Sequence, residues 1–102
     1  MPLNTIALPS GVTIESFVEI PERGVCVVLF AMNNTAEYRF ENIVCVNVMG
    51  RIVWTVSPAP GQPSHYVSLF IRDGCLLAHS WSCYLCRISV EDGSVMSSSF
   101  SK

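Results

Sequence analysis

The segment Val25-Cys26-Val27-Val28-Leu29-Phe30-Ala31 is apolar without interruption and rich in β-branched residues. A strand with one wet face alternates apolar and polar residues, so an unbroken run marks a strand covered on both faces. The run is far shorter than the ~20 residues a membrane helix needs. Cover must therefore come from the rest of the chain or from other copies of it.

The rest of the chain also reads as strands. Val12, Ile14, Val18 and Ile20 alternate with Thr13, Glu15 and Glu19, with Phe17 out of phase, and Pro21-Glu22-Arg23-Gly24 turns the chain into the apolar run. After a polar loop from Met32 to Glu41 come Ile43–Val48, a turn at Met49-Gly50, and Arg51–Val56. Ser57–Ser64 holds three prolines, which cannot donate to a ladder, so it separates two units. The pattern then restarts with Tyr66–Ile71, a hairpin turn at Asp73-Gly74, Cys75–Trp81, Cys83–Val90, a turn at Glu91-Asp92-Gly93, and Ser94–Phe100. Gly24 corresponds to Gly74 and Gly50 to Gly93, offsets in the 40–50-residue range of propeller blades. The expectation is one all-β domain over 1–102: two four-stranded antiparallel meanders, at about 12–56 and 66–100, joined by a Pro-rich linker at 57–65.

Asn47-Val48-Met49-Gly50-Arg51-Ile52-Val53-Trp54 and Ile88-Ser89-Val90-Glu91-Asp92-Gly93-Ser94-Val95-Met96 resemble the closing hairpin of quinoprotein-type (PQQ-type) β-propeller blades. In that family an Ala-x-Asp-x-x-Thr-Gly-x-x-x-Trp stretch docks each blade's tryptophan on its neighbour. The first copy keeps Gly50 and Trp54, with Asn47 near the Asp position and a shorter turn. The second keeps Gly93, while Ser89 and Asp92 replace the Asp and Thr and Ser97 stands at the Trp position. The resemblance implies blade-like shape only, and no quinone or metal site of the family maps onto this chain. Two blades do not close a propeller, which needs about four to eight. The meanders are thus expected either to pack as a sandwich or to complete a propeller-like ring as a homo-oligomer, with a trimer or tetramer favoured over a monomer.

Composition supports association: only 14% of the residues are charged, against about 25% in a typical soluble domain. Net charge is −2 and the basic residues are scattered singly, which excludes the clustered patch that nucleic acid requires. Met1-Pro2-Leu3-Asn4 has no basic start and no apolar h-region, so the expectation is a soluble, cytoplasmic protein that does not engage a membrane. The five cysteines are then reduced thiols, and the sequon at Asn33-Asn34-Thr35 carries no weight.

Chemistry-bearing residues are few. Cys75, His79, Cys83 and Cys86 could in principle surround zinc, yet residues three apart on a strand point to opposite faces. His79, Trp81 and Tyr84 are the ligand-binding candidates, offering aromatic walls and one titratable group. Tyr38, Arg39 and Phe40 form an aromatic–cation cluster suited to an interface, with Trp54 as a further interface residue. Asp73 and Asp92 both precede glycine in turns, and the only lysine is Lys102. No catalytic residue and no cofactor are assigned. The reading is a non-enzymatic β scaffold acting as a protein-interaction or ligand-binding module. The alternatives are a small-molecule or metal-binding domain built on Cys75–Cys86, and an enzyme whose site is shared between subunits.

Overall fold

The computed structural model describes residues 9, 11–33 and 35–100; Met1–Asn4, Asn34 and Lys102, which figure above, lie outside them. Among the described residues the chain is all-β, with one 3-10 turn at Pro21–Arg23. The first sheet is β1 (Ile14–Ile20), β2 (Val25–Phe30), β3 (Ile43–Asn47) and β4 (Ile52–Thr55); the second is β5 (Tyr66–Arg72), β6 (Cys75–Ser80), β7 (Tyr84–Ile88) and β8 (Val95–Phe100). Each is a four-stranded antiparallel meander in chain order.

The repeat is clearer in the backbone than in the side chains. β1 carries an extra residue, Glu15, between the pairs Ile14–Phe30 and Ser16–Leu29. β5 carries Val67 at the same place, between Tyr66–Ser80 and Ser68–His79. A second bulge recurs in the fourth strands, at Val53 in β4 and Met96 in β8. Bulges set local bend and twist, so the two units share these bend points.

One apolar core joins the sheets. Val27, Leu29, Ile43, Cys45 and Trp54 from the first meet Tyr66, Leu76, Ala78, Cys86 and Ile88 from the second. This is a sandwich-like arrangement, and its stacking has a direction. Val27, three residues after Gly24, points into the shared core, whereas Leu77, three after Gly74, alternates with buried Leu76 and Ala78 and points away. The sheets are stacked front to back rather than face to face. The far face of the first sheet, with Cys26, Val28, Val44 and Val46, is covered by Val12, Phe30 and Tyr38 of the same chain. The apolar run of β2 thus finds cover on both faces within one chain, without a second copy.

Two polar devices lock the stack. The fully buried Asn42 carboxamide donates to Phe30 O at 2.9 Å and Tyr66 O at 2.9 Å, and accepts from Tyr66 N at 2.8 Å. It pairs with the main chain of Tyr66 as another strand would, bridging the sheets where β5 runs beside β1 and β2. At the opposite corner Trp54 donates from Nε1 to Val90 O at 2.8 Å, with its ring against Gly93. A Cβ on Gly93 would collide with that ring, and its φ of 78° is one that side-chain-bearing residues rarely adopt. Trp54 was expected at an interface between chains; it is instead buried between the two sheets of one chain. Ser97 stands at the equivalent position of the second sheet, on its outward face.

Candidate functional site

The four glycine-bearing turns lie at one end of the sandwich. The other end gathers the end of β2, the approach to β3, the linker before β5 and the β6–β7 turn. Its loops are tightly held. Asn33 donates from Nδ2 to Ala31 O at 3.1 Å and Tyr38 O at 3.2 Å, while its Oδ1 accepts from Thr35 N at 2.9 Å. Tyr38 turns inward and packs edge-on against Phe30, with ring centroids 5.3 Å apart. That anchor leaves Arg39 outside, its guanidinium over the Phe40 ring at 5.2 Å.

Across the end, Trp81 N donates to His65 O at 2.9 Å. Ser64 Oγ donates to Ser82 Oγ at 2.9 Å, and Ser80 Oγ lies 3.1 Å from the same oxygen. Cys83 takes a left-handed φ of 73° that closes the β6–β7 turn. This web ties the linker to the turn, and the Trp81 indole lies near-parallel to the His65 imidazole, ring centroids 5.9 Å apart and planes 15° apart. Between the two sides lies an open cavity of about 240 Å³, walled by Met32, Arg39, Phe40, Pro63, His65 and Trp81. Trp81 is 70% exposed and Met32 74%, although both are large and apolar.

The structure regroups the residues singled out from sequence. Trp81 lines one cavity with Arg39 and Phe40, which come from the β2–β3 loop. Tyr38 is buried and serves as an anchor rather than an interface residue. His79, Trp81 and Tyr84 do not form one pocket. His79 faces outward from the second sheet, opposite Leu85 and Ser68, while Tyr84 packs on the shared core and edge-on against Phe100. The same alternation separates the zinc candidates: Cys86 is buried in the core while Cys75 and His79 point the other way. Among the described residues no cluster of three or more His, Cys, Asp or Glu is placed to hold a metal ion.

His65, Met32 and Pro63 were missed as wall residues. The Tyr66–Ser80 pairing sets residue 65 opposite 81, but that register includes the bulge at Val67, which no residue pattern announces. The three buried thiols add no nucleophile. Burial, reinforced by the neighbouring Cys26, pushes the Cys45 thiol up to about 11. Burial raises Cys86 likewise, and Cys26 with help from Glu19. Thiols held neutral are unreactive.

Among the described residues no helix is long and apolar enough to cross a membrane. No curated protein matches the sequence. A family model described as a domain of unknown function (DUF7957) matches residues 3–100, and the chain belongs to that family.

Proposed function

We propose that this domain is a non-enzymatic protein-interaction module whose docking site is the loop end around Trp81. The observation that carries the reading is an indole 70% exposed on a main chain tied to His65 O, with its ring near-parallel to the His65 imidazole. Trp, Arg, Met and Phe are the residues enriched where proteins meet, and a side chain already ordered loses little entropy on binding. The cavity is open on one side and about 240 Å³ in volume, enough for a side-chain anchor of a bound peptide. Blade-like ancestry fits the scaffold: the front-to-back stacking and the Trp54–Gly93 docking support the likeness to quinoprotein-type blades. Five unpaired thiols fit a reducing, cytoplasmic setting.

Panning a displayed peptide library tests the site. Peptides selected on the wild-type protein are titrated against Trp81→Ala and Arg39→Ala. The expected result is a loss of at least tenfold in affinity for Trp81→Ala with the melting curve unchanged. Selected peptides that bind the variants as tightly as wild type, or a library that yields no binder, refute the reading.

A further inference from the structure

Each sheet ends in two edge strands, β1 and β4 in one and β5 and β8 in the other. An edge strand offers unpaired N–H and C=O groups to any other chain. Folded proteins guard such edges with charge, proline, bulges or short length. β1 carries Glu15 and Glu19 and is followed at once by Pro21. β4 has only four residues, with Arg51 directly before it. β5 runs beside the first sheet, and Asn42 engages its first residue.

β8 has no such guard along most of its length. Val95-Met96-Ser97-Ser98-Ser99-Phe100 contains no charge and no proline. Its one bulge is at Met96, and from Ser97 to Phe100 the register with β7 is regular. Five of its six residues are exposed, including Met96 at 57% and Phe100 at 60%.

We propose that β8 is a docking edge for a second copy of this chain, pairing antiparallel with the partner's β8. The strand is self-complementary in that register. About a two-fold axis through Ser98, Ser97 lies opposite the partner's Ser99 on one face of the sheet. On the other face Ser98 meets the partner's Ser98, with Phe100 beside it. Serine pairs bond across strands and no like charges meet. The joined sheet runs through eight strands by strand addition, an isologous contact that closes at two copies. One strand edge buries well under the ~800 Å² per partner of a stable complex, so the dimer forms at roughly micromolar concentrations or above.

The test is mass in solution, by light scattering and sedimentation, from about 10 μM to 1 mM. The wild-type mass is expected to double across the series. Ser97→Lys combined with Ser99→Lys sets like charges across the seam and is expected to stay monomeric, with Thr55→Lys on β4 as a control that still dimerises. A wild-type mass that never rises, or a double variant that doubles like wild type, overturns the proposal. Should the double variant fail to fold, amide exchange on the wild-type protein decides. Protection in β8 that grows with concentration supports the pairing, and protection that is concentration-independent or grows elsewhere refutes it.

Discussion

Replacing Asn42 by leucine should be among the most damaging single changes this domain can receive. The side chains are similar in volume, so packing is nearly conserved and the loss is almost purely polar. Three hydrogen bonds of 2.8–2.9 Å disappear, and Tyr66 N, Tyr66 O and Phe30 O lose a buried partner. Each bond is worth about 1 kcal/mol net, and a buried donor or acceptor left bare costs about 1–3 kcal/mol. Some of these penalties overlap, because a carbonyl can keep a second bond, so about 3–5 kcal/mol is expected. Domains of this size are stable by about 5–15 kcal/mol, so the variant should be marginal. In urea, with a slope of about 1–3 kcal/mol per molar, the midpoint should fall by roughly 2 M with the slope unchanged. Asn42→Asp supplies the second arm. Its carboxylate can still accept from Tyr66 N, but at neutral pH it faces two carbonyl oxygens with no proton to offer. Burial and those oxygens raise its folded pKa above that of the unfolded chain. Stability of this variant is therefore best below the unfolded carboxyl range and falls as pH rises through the folded value. It should be measurably less destabilised, relative to wild type, at pH 4 than at pH 7. A cost under about 1 kcal/mol for Asn42→Leu, or an Asn42→Asp penalty independent of pH, refutes the view that one amide ties the sheets together.

Gly93→Ala sets a methyl into the Trp54 ring and strains a φ of 78°; a loss of about 2–4 kcal/mol in chemical denaturation is expected, with a shift in Trp54 emission. Alkali should unfold the protein early, because Cys45 ionises near 9 when unfolded but at about 11 when folded. Its contribution is complete below pH 9 and is lost at about 1.4 kcal/mol per pH unit up to 11, so thermal scans should fall over that window and fall less in Cys45→Ala. A thiol reagent at pH 8 should label the half-buried Cys75 and Cys83 promptly and reach Cys26, Cys45 and Cys86 only on unfolding; rapid labelling of all five would contradict the packing. Trp81→Ala should change stability by less than about 0.5 kcal/mol, as expected of a surface side chain.

Much of the architecture is legible in the residues themselves. Strand positions, the turn glycines, the proline-rich break and the two-unit repeat all depend on local preference and alternation, which act within a few residues. Even the vacancy at Ser97, where the first unit has Trp54, can be read by aligning the halves. Burial of the β2 run on both faces is also implied by composition, though not what covers it. Tyr38 and Val12 cover one face and the second sheet the other, so this run needs no covering copy.

The site is where local reading stops. His79, Trp81 and Tyr84 are close in sequence, but alternation and a left-handed Cys83 send them to different surfaces. Trp81 shares a cavity with Arg39 and Phe40 because the common core, Asn42 and Trp54 hold the two sheets in one relative position. The sequence by itself determined the strands, their order and the repeat, because each rests on spacing along the chain. Tertiary structure alone decided the stacking direction, the partners of Asn42 and the company Trp81 keeps. Those depend on bulge-set registers and on which face of one sheet meets the other, and no single strand encodes that choice.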